Sequence, residues 1–87
     1  PSTARVVCDG QDRVTPIDAV RVGDLVRIRP GERVPVDGVV AEGHSVVDLS
    51  LVTGEPMPIE RSAGDSVVAG SINGVGMLLV RVAAIGE

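Results

Sequence analysis

Apolar and polar residues alternate in short runs along almost the whole chain, and Gly, Pro and Asp punctuate the runs. A period of two is the mark of strands with one buried face, and no stretch carries the i, i+3, i+4 spacing of an amphipathic helix. Strands are therefore expected and helices are not. Residues 6–8 and 13–15 flank Asp9-Gly10, which reads as a hairpin turn, and residues 17–22 lead through Gly23-Asp24 into a strand over 25–29. In that strand Val26 and Ile28 share one face while Arg27 and Arg29 share the other. Pro30-Gly31 ends it. A strand over 36–42 follows, with Gly38 as a bulge or a point of close approach, and Gly43-His44-Ser45 turns the chain back into a partner over 46–52. Residues 57–60, 66–72 and 77–85 complete the set, and Asn73-Gly74 predicts a type I′ hairpin because both central residues of that turn need positive φ.

Short strands at even spacing with many turn residues predict an all-β sandwich or distorted barrel. The chain has 87 residues, enough for one small core, which places residues 5–87 in a single domain and leaves residues 1–4 as a terminal edge or cloning remnant. Phe, Trp and Tyr are absent, so β-branched Val must supply the packing, at about 1.5–3 kcal/mol for each side chain fully buried. Without aromatics there is no platform on which bases could stack, which argues against single-strand nucleic-acid modules. All eight basic residues are Arg. The missing Lys removes biotinyl and lipoyl carriers, Schiff-base chemistry and P-loop nucleotide sites. Gly70, Gly74 and Gly76 resemble a phosphate loop only on the surface, because no helix is expected after them.

The formal charge is −4, which disfavours nucleic acid and anionic membrane surfaces as partners. It is unevenly spread, with six Arg against five acids through Arg33 and two Arg against seven acids beyond it. Cys8 is the single cysteine, so no internal disulfide or Cys metal cluster can form, and a reducing, cytoplasmic setting fits best. The longest stretch without charge, residues 66–80, is too short and too Gly-rich to span a bilayer, and no signal peptide is recognisable.

The stretch from Val46 to Pro58 carries the chemistry: a strand runs into a turn with a carboxylate at its tip. Gly54 permits backbone geometry closed to other residues, and Pro56 drives Glu55 toward an extended conformation, so Glu55 should project from a stiff, exposed loop. Taken alone, a Gly-Glu turn with a solvated carboxylate is the commoner meaning of such a segment. The surrounding text changes that weighting. Gly23-Asp24, Pro30-Gly31-Glu32-Arg33-Val34-Pro35-Val36-Asp37-Gly38, Val47-Asp48-Leu49-Ser50, Thr53-Gly54-Glu55-Pro56, Gly64-Asp65 and Gly70-Ser71-Ile72-Asn73-Gly74-Val75-Gly76 occur in order. Over residues 13–87 the chain resembles the actuator domain of P-type cation-transporting ATPases, most closely the heavy-metal, copper-type branch.

The resemblance implies a distorted, jelly-roll-like β-sandwich that rotates to remove a phosphate from an Asp of another domain. By that likeness Glu55 orients and deprotonates the attacking water, Thr53 and Gly54 set the loop beside the phosphoryl group, and Pro56, Asp48 and Ser50 support the loop. Phosphoryl transfer depends on positioning and electrostatics, so a rigid carboxylate aimed at an in-line water suits the task. The likeness further implies ATP and Mg²⁺ in the whole enzyme, the cation offsetting repulsion between carboxylate and phosphate. It also implies that the phosphorylation domain, the nucleotide-binding domain and transmembrane helices of the same polypeptide are partners, that a metal cation is transported, and that this domain faces the cytoplasm. No cofactor or metal is expected in the fragment itself. Having no Lys, it cannot supply the family's Asp-Lys-Thr-Gly phosphorylation motif, so ATP hydrolysis by the isolated chain is not expected.

Three positions depart from the family's usual text: Glu32 for Asp, Arg61 for Lys, and Leu49 for an acid. The first two keep their charge. Leu49 does not, and alternation groups it with Val47 and Leu51 on an apolar face. His44 reads as a solvated loop residue, Cys8 as a small packing residue or one at an edge, Met57 as packing, and Asp37 and Asp48 as braces of nearby turns. Two rivals belong to other classes. One is a free-standing β-barrel binding module in which residues 53–56 are a plain turn. The other is an intein-like fold suggested by Val22-Gly23-Asp24-Leu25-Val26, but the nucleophile at the start of the chain and the extra His that this chemistry needs are not found.

Overall fold

The computed structural model describes residues 2–84. Strands β1 (Thr3–Cys8), β2 (Gln11–Pro16), β3 (Leu25–Ile28), β4 (Asp37–Asp48), β5 (Pro58–Ser62), β6 (Ser66–Val67), β7 (Ile72–Asn73) and β8 (Leu78–Ala84) form an antiparallel, curled sheet. Its main path runs β2-β1-β3-β8-β4-β5, with β6 and β7 also paired to β4. The all-β expectation holds. The β1–β2 turn is as predicted, since Asp9 (φ 53°) and Gly10 (φ 77°) both take positive φ between the paired Cys8 and Gln11.

Twelve buried apolar residues form the core and nine are valine, so β-branched packing replaces aromatics as the composition requires. Val26, Ile28, Val40, Leu78, Val80 and Val82 come from the adjacent strands β3, β4 and β8. All twelve fall between Ala4 and Val82.

Four local expectations are corrected. The first concerns the amino-terminal residues: β1 begins at Thr3 and Ala4 is buried in the core, so ordered packing starts before Arg5. Pro1 lies outside the described residues, as does the Ile85 end of the last expected strand.

The second concerns Gly43-His44-Ser45, which does not reverse the chain. Strand β4 runs straight through it, pairing with β8 as far as Gly43↔Leu78 and with β5 from His44↔Ser62. Gly43 has φ 103°, and a Cβ there would strike the Met77 carbonyl oxygen. The glycine thus lets one long strand bend from one half of the sheet to the other. Gly38 behaves as expected: the register slips beside it, and a Cβ would meet the Arg81 carbonyl.

The third correction is at residues 46–52, where the strand stops at Asp48 and residues Ser50–Thr53 form a one-turn helix, α1. A second helical turn, of 3-10 type, spans Ile17–Ala19. The fourth concerns Asn73-Gly74. Neither residue has positive φ, so no type I′ turn forms. Asn73 instead pairs with Val47 in β4, and its buried side-chain amide lies 2.7 Å from the Gly76 carbonyl, 3.0 Å from that of Arg29 and 3.3 Å from that of Ile28. The expected strand over 66–72 is likewise split into β6 and β7 by a turn at Ala69-Gly70.

Candidate functional site at the Thr53–Glu55 loop

Strand β4 delivers Asp48 to the edge of the fold, and the Asp48 carboxylate organises the loop that leads on to β5. Its Oδ1 accepts the Ser50 backbone N–H at 2.9 Å, and its Oδ2 lies 3.2 Å from the Ser50 hydroxyl. A side chain accepting from the N–H two residues on forms an Asx turn, which halts the strand and starts a helix. The same Oδ1 faces the Met57 N–H at 3.5 Å, while Leu49 donates its N–H to the Met57 carbonyl at 3.1 Å. Both feet of the loop are tied together.

Between them α1 makes one turn, with the N–H groups of Val52 and Thr53 each 2.9 Å from the Leu49 carbonyl. Gly54 closes the helix with φ 86° and donates to the Ser50 carbonyl at 2.8 Å. This left-handed helix stop is where glycine is favoured. A Cβ on Gly54 would meet nothing within 4 Å, so within this chain its glycine serves the backbone angle, and any close approach would involve another surface.

The Thr53 hydroxyl lies 3.1 Å from the Leu49 carbonyl, 3.2 Å from the Glu55 carbonyl and 3.4 Å from the Glu55 N–H. It has one proton to donate and can also accept, so it clasps Glu55 by the backbone and leaves the Glu55 side chain out of the bonding. Glu55 is exposed and forms no ion pair among the described residues. Thr53, Gly54, Glu55 and Pro56 stay together on one exposed tip, with Asp48 and Ser50 beneath it. Leu51, Val52 and Met57 flank the tip and are 60%, 51% and 45% exposed, so Met57 is less a packing residue than its sequence context predicts. The alternation expected for Val47, Leu49 and Leu51 is broken by α1: Val47 is buried, Leu49 half-buried and Leu51 exposed.

The backbone N–H of Ser50 is the main influence on the Asp48 carboxyl. Together with the Met57 N–H and the Ser50 hydroxyl it outweighs desolvation and holds the group below its ordinary range. A depressed folded value stabilises the loop fully above the unfolded Asp value of about 3.9, and that contribution disappears as pH falls through the folded value. In an NMR titration the Ser50 amide is expected to move with a midpoint below that of free Asp. A midpoint at or above it would contradict the bonding described.

The other singled-out residues stay apart from the loop. His44 lies in β4 with its Nε2 3.9 Å from Glu60 Oε1, Cys8 is exposed at the end of β1, and Asp37 braces a turn by accepting the Ala69 N–H at 2.7 Å. No three His, Cys, Asp or Glu side chains gather as metal ligands among the described residues. No helix among them is long and apolar enough to cross a membrane. Sequence reasoning missed Ser45 and Asn73, which are buried polar residues on strands. The only signal for Asn73 was the Asn-Gly pair, and it pointed to a turn.

Comparison with known proteins adds a separate line. The family model described as the P-type ATPase actuator domain matches residues 1–87. A probable copper-exporting P-type ATPase V of Mycobacterium tuberculosis is 51% identical over 83 residues, covering 95% of this chain and 11% of its own length. A copper-exporting P-type ATPase of Bacillus subtilis is 48% identical over 85 residues, covering 98% and 11%. The chain thus spans about a tenth of these relatives. The crystal structure of a zinc-transporting PIB-type ATPase in the E2.Pi state superposes with a TM-score of 0.90 at 32% identity, covering 98% of this chain and 14% of that one.

Proposed function

The chain belongs to the actuator-domain family of P-type ATPases, and from that membership we propose that it is the dephosphorylating part of an ATP-driven, copper-type cation pump. In this reading Glu55 positions and deprotonates the water that attacks an aspartyl phosphate on another domain of the same polypeptide. The water's oxygen bonds to phosphorus, the aspartate carboxylate leaves, and the displaced proton goes to Glu55. Thr53 and Gly54 hold the approach geometry, and Asp48, Ser50 and Pro56 fix the loop. ATP, Mg²⁺, the membrane helices and the cation's path belong to the remainder of the pump, with this domain on the cytoplasmic side.

The observation that carries the reading is an exposed carboxylate, with no ion pair among the described residues, on a tip held through the backbone N–H groups of Thr53, Gly54 and Glu55. Phosphoryl transfer needs a group held in place before the reaction starts, because its catalysis is positioning and electrostatics. The exposed Leu51, Val52 and Met57 offer an apolar collar that can be covered when the tip meets the phosphorylated domain. The direct test is phosphoenzyme decay in the full-length pump carrying Glu55→Gln. Unchanged decay overturns the assignment.

A second substitution separates the tip from its support. Asp48→Ala removes the acceptor for the Ser50 N–H and loosens both feet of the loop while leaving Glu55 in place. Decay is expected to slow by up to about tenfold, less than for loss of Glu55, with Asp48→Asn falling between wild type and Asp48→Ala because one carbonyl oxygen remains. Rapid-quench measurement of the phosphoenzyme orders the three variants. An Asp48→Ala pump that decays at the wild-type rate would show that the tie is dispensable.

A further inference from the structure

A cavity of about 300 Å³ that Glu55 does not line opens over β1, β2, β3 and the loop from Glu32 to Pro35. That volume is at the lower end of small-molecule sites. Its lining includes Arg5, Arg27 and Arg33 together with Val14, Ile28 and Pro35.

The register makes this arrangement costly. Arg5 lies directly opposite Arg27 between β1 and β3 and opposite Val14 between β1 and β2, so two guanidinium groups share one face at adjacent positions. Like charges directly opposed on a sheet destabilise it. Each is partly offset, Arg5 by an ion pair to Glu32 and Arg27 by an Asp12 carboxylate at 2.8 Å. Glu32 is spent in doing so, since its other oxygen accepts the Arg29 N–H at 2.8 Å. Burial raises the Glu32 carboxyl, and these bonds outweigh that and hold it ionised below its ordinary range. Arg33 has no side-chain partner among the described residues, and Arg29 only brushes Asp12 at 4.0 Å. The lining therefore holds three cations against one committed carboxylate, in a chain whose net charge is −4.

Donor capacity is in excess as well. Each guanidinium has five N–H donors. Among the described residues one of Arg5's is used, two of Arg27's, counting the contact to Met77 Sδ at 3.2 Å, and none of Arg33's. Guanidinium forks match phosphate oxygens in pairs, which is why Arg recurs wherever phosphate is read by geometry.

We propose that this cavity binds a small, soluble phosphate-bearing anion between Arg5, Arg27 and Arg33. The site is separate from the Thr53–Glu55 loop and does not depend on the role assigned there. A diphosphate suits it better than a monophosphate because it offers more oxygens to the unused guanidinium donors of Arg5, Arg27 and Arg33. The carboxylate of Glu32 disfavours ligands that would displace Arg5.

The test uses the full-length pump and, once its amide dispersion shows it folded, the 87-residue chain, with inorganic phosphate and pyrophosphate as probes at ionic strength held constant with chloride. The Nε–H signals of Arg5, Arg27 and Arg33 are expected to shift and saturate, pyrophosphate at lower concentration than phosphate, while those of Arg13, Arg21 and Arg81, which do not line the cavity, stay put. Arg33→Gln, a change that removes no internal side-chain bond, should weaken pyrophosphate binding about tenfold or more. Val14→Glu, on an exposed edge-strand position facing Arg5, should block it, and amide dispersion verifies that both variants are folded. Unsaturating shifts shared by all the arginines would overturn the proposal. So would a response to phosphatidylglycerol vesicles with none to pyrophosphate, and so would Arg33→Gln binding as tightly as wild type.

Discussion

Replacing Glu55 by Gln in the full-length pump is expected to leave phosphoenzyme formation intact and to slow its hydrolysis about 10²–10⁴-fold, the range for loss of a general base. Gln keeps the length and shape of Glu and loses the basicity, so the attacking water is still contacted and no longer deprotonated. The loop gives a specific reason to expect a clean effect. Glu55 is tied to Thr53 through its own backbone N–H and carbonyl, and its carboxylate is in none of the bonds that hold the tip. The substitution therefore leaves Thr53, Gly54 and the Asp48 tie as they were. Labelling from ATP should produce phosphoenzyme at the normal rate and then a long-lived pool. Loss of labelling altogether would mean that the tip is needed before the phosphate arrives, and normal decay would mean that the base lies elsewhere.

The Thr53–Glu55 tip was legible in the sequence because the residues that shape it act over a few positions. Gly54 can hold φ 86° without a Cβ penalty, and the Asp48-x-Ser50 spacing is that of a side chain reaching the N–H two residues on. Asp9-Gly10 was legible for the same reason. The helical turn α1 was not, because four residues have too little length to display a period, and Leu51 and Val52 looked like the continuation of a strand while being half exposed or more. Gly43 misled for a different reason. Its positive φ is as compatible with a bend inside a strand as with a reversal, and only the two partners of β4, β8 before it and β5 after it, decide which occurs. Thr3 and Ala4 have no alternation of their own, and their place in β1 is set by pairing to Thr15 and Pro16. The arginine-lined cavity was out of reach altogether, since Arg5, Arg27 and Arg33 meet through strand register and read singly as solvated charges. Asn73 is the sharpest failure, because the local preference of Asn-Gly for a turn was overridden by carbonyls contributed from more than forty residues away.

That override makes Gly76→Ala the substitution with the largest expected cost to folding. Gly76 does not need positive φ, so the backbone would tolerate Ala, and the penalty is one of space. A Cβ would strike the His44 carbonyl oxygen and lie 3.0 Å from its carbon and 3.1 Å from Ser45 Cβ. Two of these are backbone atoms of β4, the strand that every neighbour in this part of the sheet uses, and they cannot swing aside as a side-chain end can. The same residue is held at both ends, its N–H donated to Ser45 Oγ at 3.1 Å and its carbonyl accepting from Asn73 Nδ2 at 2.7 Å. Moving it aside takes one hydrogen bond from each of Ser45 and Asn73, both buried, and among the described residues Asn73 already carries an Oδ1 with no hydrogen-bond partner. Overpacking costs about 1–3 kcal/mol and each of the two lost hydrogen bonds about 0.5–1.5 kcal/mol more, so a total of about 2–6 kcal/mol follows. Small domains have only about 5–15 kcal/mol to lose, and each 1 kcal/mol moves the midpoint of a domain this size by about 4–8 °C. Thermal unfolding of Gly76→Ala should therefore show a fall of at least about 8 °C, with a matching loss in urea. Gly64→Ala is the control, since that residue has φ 96° with nothing within 4 Å of a Cβ and should lose only the backbone term, about 1 kcal/mol. Equal stability of the two variants would mean that the Ser45–Gly76–Asn73 clasp yields without cost, and that the bend of β4 is held by the Gly43 backbone alone.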